Sequence, residues 1–389
     1  MIRSTAVTTK TISTLLLLLV LLVVLGYSAS TAVRAIVIIV AFLWTIFRRG
    51  TKIQLHEING MHLLWAVSII ILVHLSRYWA LVPQGVDDVK NNVLWACMIT
   101  IIMADYVAFY RVSIEKIAKI LLPVTIIFLL SALIFGSRGL SNRLSVSNNA
   151  NTFGMVAAGM MNYYLFLTFK TKKKGYIALS LLLLVVILLS GSRKSTITMT
   201  IFFVGYYEFM EQSKNTAKTI GRIIAIICIL LAVYAIVMNV EVLYNAIGNR
   251  IESLLGFLFK QEEADSSVFS RLNMISLASN IIREHPILGI GANNFKYYTY
   301  YNTYSHNGYT EIMCSFGIVG IIVYYLPLLF LFFMSLKNWQ QHISGAILPL
   351  CVFIAFFVCE MFGVTYFSYH NYCFIGLASG LAFNMKRDR

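Results

Sequence analysis

Apolar runs of about 15 to 20 residues recur along the whole chain, separated by shorter polar stretches rich in lysine and arginine. A helix needs about 20 residues to cross the hydrocarbon core of a bilayer, and lipid leaves the backbone no partners outside its own helix. The pattern predicts twelve spans, near residues 12–29, 33–47, 61–76, 93–110, 120–136, 153–170, 176–190, 195–210, 223–240, 309–335, 344–361 and 372–385. The expected fold is an all-α polytopic membrane protein, with residues 1–389 as a single integral membrane domain. The first run follows Arg3 and Lys10, as in a signal peptide. A second span follows at once and Ser28-Ala29-Ser30 is a weak cleavage site, so an uncleaved first helix is expected.

The basic residues set the expected orientation. With the N-terminus in the cytoplasm, Arg48/Arg49/Lys52, Arg111/Lys116/Lys119, Lys170 to Lys174, Lys214/Lys218/Arg222, Lys337 and Lys386/Arg387/Arg389 all fall inside. Every even-numbered span then ends at a basic cytoplasmic edge, as the positive-inside rule requires. The outward loops are then 77–92, 137–152, 191–194, 241–308 and 362–371. Only 241–308 is long, and loops beyond about 15 residues are usually functional or partly structured. It contains "SRLNMISLASNIIREHP", a helical pattern with apolar Leu272, Ile275, Leu277, Ile281 and Ile282, ended by Pro286 and followed by the turn "LGIGANNF". The expectation is a small extracytoplasmic cap over the mouth of the bundle.

Composition agrees. The chain is 59% hydrophobic and 12% charged, with mean hydropathy +0.78; a soluble domain carries about 25% charged residues. The net charge of +15 is spread over many short loops, so it serves topology and no nucleic-acid partner is expected. Six cysteines (97, 228, 314, 351, 359 and 373) lie in apolar segments without any Cys-x-x-Cys, as packing residues do.

The residues with chemical potential crowd the outward loops. Arg138, Arg143, Arg193, Arg250, Arg271 and Arg283 all face out, where topology favours few cations. Snorkelling to lipid head groups accounts for most arginines at helix ends, and here for Arg138 and Arg283. Arg193 differs. It sits in "LLSGSRKS", a tight connection in which Gly191 and Ser192 allow close backbone approach and Lys194 adds a second cation. Its fork of donors matches phosphate oxygens in a bidentate way. Among the histidines, His56, His62, His74 and His342 read as interfacial or packing residues, and His285 as a surface residue at a helix end. His306 opens a membrane helix beside Asn307, with Glu311 five residues on. A neutral imidazole there can accept a proton, but the residues alone leave a catalytic and an interfacial role equally open. No His-x-x-x-His or carboxylate cluster suggests a metal, and Asp105 is the only clear mid-span carboxylate. The tyrosine-dense run "NFKYYTYYNTY" reads equally as an interfacial aromatic belt or a platform for sugar rings.

"EHPILGIGANNF" followed by "YSHNGYTEIMCSFGIVGIIVYY" resembles the signature region of the O-antigen ligase and O-antigen polymerase superfamily. "LLSGSRKS" resembles its outward arginine turn, "SSVFSRLNM" its loop-helix arginine, and "NRLSVSNNANTFG" the lead-in to its central span, with Ala150 where proline is common. The resemblance covers about residues 137–335. It implies a GT-C-like membrane fold and a cofactor- and metal-independent glycosyltransferase in the bacterial cytoplasmic membrane. Donor and acceptor would be oligosaccharides linked through pyrophosphate to undecaprenol, with membrane lipids and a chain-length regulator protein as further partners. Carried across, Arg193 and Arg271 hold the pyrophosphate and His306 is the base. Arg250, Arg143, Lys194, Asn307, Glu311 and Tyr304 complete the expected substrate contacts. The forms "SGSRKS" and "NNANTFG" look more like polymerases than ligases. A flippase is a third reading, but transporters place ionisable residues near the midplane, whereas here they crowd the outer mouth.

Overall fold

The computed structural model describes residues 2–26, 30–48, 57–138, 143–146, 149–210, 216–253 and 266–387. Each predicted span has its helix: α1 (Ile2–Leu25), α2 (Thr31–Phe47), α3 (Glu57–Leu75), α4 (Pro83–Phe109), α5 (Ile114–Phe135), α6 (Ala150–Thr171), α7 (Lys174–Leu189), α8 (Arg193–Phe209) and α9 (Thr216–Asn239). The long loop contributes α10 (Ser266–Glu284), and α11 (Gly308–Gln340), α12 (Ile347–Glu360) and α13 (Tyr369–Arg387) complete the chain. Local sequence starts several of them. Ser30, Ser113, Asn149, Ser192 and Asn307 each cap a helix by accepting from a backbone N–H of its first turn, which satisfies donors that would otherwise be orphaned. Pro83 opens α4, where its missing N–H costs nothing.

This is an all-α membrane protein, but length and composition single out fewer crossings than twelve. Six segments are long and apolar enough to cross: Val7–Leu25, Gly60–Tyr78, Pro83–Phe109, Ile114–Phe135, Thr219–Asn239 and Gly308–Gln340. Helices α2, α7 and α12 are apolar but shorter. Helices α6 and α13 are instead buried along most of their length, so their polar residues meet protein. Helix α13 runs along α4 through small residues: a Cβ on Gly376 or Gly380 would stand 2.8 Å from the carbonyl oxygens of Thr100 and Ala104. Such close backbone approach is how membrane helices associate without a hydrophobic driving force.

One expected surface cation turns inward. Arg48, placed by its sequence position at the basic cytoplasmic edge, pairs with Asp105, and both side chains are 1% exposed. Its guanidinium lies over the rings of Phe109 and Tyr110, 4.6 and 5.1 Å from their centroids. The mid-span carboxylate of Asp105 thus has a structural partner among α1, α2 and α4. Of the six cysteines, five are buried, but Cys228 on α9 is exposed and does not pack.

The long loop docks on a break in α11. At Gly317 the helix backbone leaves the helical region (φ 60°, ψ −155°). The turn after Pro286 fills the gap: Ile290 N and Gly291 N donate to the carbonyls of Cys314 and Ser315 (2.7 and 3.0 Å), and Ile318 N donates to Pro286 O (2.9 Å). The break therefore leaves its polar groups satisfied. Gly289, at φ +65°, lies so close to the α11 backbone that a Cβ would meet Phe316 N at 2.6 Å. Beneath, Met274, Ala278, Ile281, Ile290, Phe295 and Cys314 form a small second core, in which a buried Phe alone contributes about 1.5–3 kcal/mol. Of the apolar residues expected on α10, Ile281 is buried and Ile282 packs beside it, while Leu272 and Ile275 are exposed and Met274 and Ala278 complete the buried face.

Candidate active site

The expected site residues gather at one end of the bundle, where α6, α8 and α11 begin and α12 ends. The turn Ser190–Ser192 is its corner. Gly191 adopts φ +56°, and a Cβ there would meet the Ala246 carbonyl and stand 3.1 Å from Arg143 Cγ. Arg143 directly precedes the second strand of a short antiparallel pairing (Ser137 with Ser145, Arg138 with Leu144). Its Nε donates to Ser190 O at 2.8 Å and its Nη2 to Asn151 Oδ1 at 2.6 Å. A single arginine thereby latches the turn to the start of α6. Gly154 lets α6 approach the same turn, since a Cβ would stand 2.6 Å from Ser195 Oγ.

Arg193 and Lys194 are the first two residues of α8. Cations at a helix N-terminus oppose the macrodipole, at a cost of about 0.3–1 kcal/mol each when exposed. Local stability therefore does not account for them. The charges of Arg250, Arg193 and Arg271 all bear on Arg143, whose pKa is drawn down to about 10 by burial first and then by these three neighbours. Four arginines from four separate segments thus concentrate positive charge at one spot. Arg283 lies exposed near the end of α10, while the Arg138 side chain lies outside the described residues.

His306 stands beside this cluster. Its backbone is left-handed (φ +57°), a conformation that costs a non-glycine residue about 1 kcal/mol and persists only where neighbours enforce it. They do so here. Ser305 N donates to Glu311 Oε2 (2.8 Å), Ser305 Oγ to Asn307 O (2.9 Å), and Thr310 N to Asn307 Oδ1 (3.1 Å). Asn307 and the fully buried Glu311 thus shape the turn, a part distinct from the substrate contact expected of them. The imidazole packs against the Tyr304 ring at 4.5 Å. Burial, then the charges of Arg271 and Lys194, hold its pKa down at about 4. At neutral pH the ring is therefore uncharged, and the neighbouring cations suppress its basicity.

Sequence reasoning missed a third carboxylate. Glu360, the last residue of α12, is completely buried, and it accepts from Tyr325 OH at 2.6 Å and from the Thr365 hydroxyl. Its signal was faint: one acid ending an apolar run. The tyrosine run is divided. Phe295 is buried and Tyr304 half-buried, while Tyr298 and Tyr300 are exposed, and Lys296 ties the run to Asp88 at 2.5 Å. Among the described residues, no three His, Cys, Asp or Glu side chains gather as metal ligands would. Two cavities of about 390 and 230 Å³, one lined by Ser113, Lys116 and Lys119, the other by Lys170, Trp339 and His342, lie at the opposite helix ends. They have no part in this cluster.

Fold and site together define a polytopic helical membrane protein with a strongly cationic cluster at one end of the bundle and a neutral histidine beside it. Residues 178–325, less than half of the chain, match the model of the O-antigen ligase family, and this match supports its place in the O-antigen polymerase and ligase superfamily. No curated protein matches the chain. The matched stretch holds Arg193, Lys194, Arg250, Arg271, Tyr304, His306, Asn307 and Glu311; Arg143 and Glu360 lie outside it.

Proposed function

We propose that the protein polymerises oligosaccharide repeat units carried on undecaprenyl pyrophosphate, at the outer face of the bacterial cytoplasmic membrane. The observation that carries this reading is the convergence of Arg143, Arg193, Arg250 and Arg271, with Arg271 and Lys194 also bearing on His306. All twelve helices would cross in a GT-C-like arrangement with the N-terminus inside, so that the arginine end faces out. Residues 241–308 would then be the extracytoplasmic cap. The arginines bind the donor pyrophosphate, and their fixed charges stabilise the negative charge that builds on it as it leaves. His306 takes the proton from the acceptor hydroxyl. The acceptor oxygen bonds to the donor's anomeric carbon as the bond from that carbon to the pyrophosphate oxygen breaks.

The test is purified protein with a synthetic lipid-linked repeat unit as the only sugar substrate. A ladder of products, unaffected by EDTA and lost in His306→Ala, is the expected result. The family's own description favours a second reading, transfer of the finished glycan to lipid A core. Activity only after that core is added would select it. Products capped at one repeat unit in cells carrying His306→Ala would favour polymerisation.

A further inference from the structure

We propose that Tyr325 is a positioning residue: it braces the folded-back first limb of α11 and so fixes His306 on the floor of a recess. The proposal deepens the glycosyl-transfer reading of this site and rests on it for its catalytic consequence.

Helix α11 is two limbs folded together at Gly317. Tyr309 and Tyr325 are 16 positions apart, which is about 24 Å along a straight helix. Their ring centroids are nonetheless 5.1 Å apart. The limb from Gly308 to Phe316 therefore doubles back beside the limb that begins at Ile318. Gly317 supplies the bend, with a backbone conformation that is nearly glycine-only (φ 60°, ψ −155°). Gly320 lets the limbs close, since a Cβ there would stand 3.2 Å from Ile312 O.

The bend sets a depth. The inner ends of α8 and α11 are level, because Trp339 Nε1 donates to Phe209 O at 3.4 Å. Measured along the helices from there, α11 climbs about 33 Å to Gly317 and α8 about 24 Å to Arg193. The bend thus stands about 9 Å above Arg193, and the first limb descends about 13 Å from it to Gly308. Contacts at its foot agree: Asn307 Nδ2 donates to Met361 O at 3.3 Å, and Lys194 Nζ packs on Gly363 two residues on. His306 and the start of α8 share a floor below the rim.

Tyr325 joins the two limbs at that floor. Its ring packs on Tyr309, and its hydroxyl donates to Glu360 Oε2 at 2.6 Å. The Glu360 carboxylate lies against Gly308, where a Cβ would stand 2.6 Å from Cδ. Tyr309 OH donates to Phe357 O at 2.8 Å, which ties the first limb to α12 as well. His306 is two residues from Gly308, so any slack in this brace shifts the imidazole against the arginines. A misplacement of about 1 Å can cost about a hundredfold in rate.

The experiment compares wild type with Tyr325→Phe, which drops only the hydroxyl, Tyr325→Leu, which drops the ring too, and Gly308→Ala, which displaces the Glu360 carboxylate. Melting in detergent checks the fold. Tyr325→Phe should lower kcat about tenfold and the other two more, with little change in KM because the arginines are intact. Full kcat in Tyr325→Phe, or a loss in KM alone, would overturn the proposal. Acylation by diethyl pyrocarbonate, read by peptide mass spectrometry, tests the brace without turnover. His306 should label at least about threefold faster in Tyr325→Phe, as a loosened limb opens more often, while the exposed His285 keeps its rate. Unchanged His306 labelling, or equal quickening at both histidines, overturns the brace. With the exposed Cys228 replaced by serine, a nitroxide at exposed Met361 should lie deeper in lipid nanodiscs by power saturation than one at Ile287 beside the bend; equal depths would overturn the recess. A wild type inert toward lipid-linked glycans, with labelling and depths as expected, overturns the reading of the site and not the brace.

Discussion

The most informative perturbation is of the basicity of His306. Its pKa is lowered from 6.5 to about 4, by burial first, then Arg271, then Lys194. The interval of 2.5 corresponds to roughly 3 kcal/mol against the imidazolium, at about 1.4 kcal/mol per pH unit. Free-enzyme activity, followed as kcat/KM, should therefore persist down to about pH 4 and fall below it as the base is protonated. Lys194→Met should raise that limb, and Arg271→Gln should raise it further, since Arg271 is the larger of the two charge effects. An anionic donor bound at the cations raises the imidazole's basicity too, so the limb in kcat should lie above the limb in kcat/KM. The stability sign runs the same way. A histidine neutral in the fold and charged when unfolded withdraws stability as pH falls from 6.5 to about 4, so each point needs a fold control. The assay is ladder formation at pH 3.5 to 8 with the lipid-linked repeat unit varied. A limb fixed at 6.5 in wild type and in Lys194→Met would refute the reasoning, because the ring would then feel neither burial nor cation.

Arg193→Ala should abolish product formation and Arg193→Lys should restore little, since a point charge lacks the bidentate fork; full activity in a correctly inserted Arg193→Ala protein would return the residue to snorkelling. Gly289→Ala should loosen the cap by more than about 1 kcal/mol, because positive φ and the nearby α11 backbone both oppose a Cβ, and faster proteolysis of the 266–307 segment would report it. Reporter fusions after Lys174 and within Glu262–Asp265 should sit in opposite compartments; two cytoplasmic signals would undo the proposed orientation.

Hydrophobic runs made the helices legible, because a membrane span needs only length and apolar content, and each predicted run has its helix. The same runs did not separate helices that face lipid from helices that face protein. Helices α6 and α13 are buried by their neighbours, and no local pattern in their sequence encodes those neighbours. The arginines stood out because the expected topology favours few cations where it put them, and the fold brings four of them together. Glu360 and the Arg48–Asp105 pair were not: their partners lie 35 and 57 residues away for Tyr325 and Arg48, and pairing across such distances exists only in the packed bundle. The buried face of α10 was only partly legible for a related reason, as an apolar residue on a surface helix can face either protein or lipid.

The concentration of positive charge is what the fold works hardest to maintain. Gly191 and Gly154 let backbones close on the Ser190–Ser192 turn, Arg143 locks it, and Ser192 starts α8 with two cations against its own dipole. The two cations at the start of α8 and the crowding of four arginines are locally unfavourable, and natural sequences keep such conflicts mainly where function needs them. An anion resolves all of them together: it offsets the mutual repulsion of the arginines, meets the N-terminal amides of α8 and relieves the charge that suppresses His306. On the proposed mechanism His306 would become a competent base only once the leaving group is seated. On this electrostatic ground the donor's pyrophosphate should bind before the acceptor hydroxyl is deprotonated, and a donor analogue lacking one phosphate should lose kcat more than affinity.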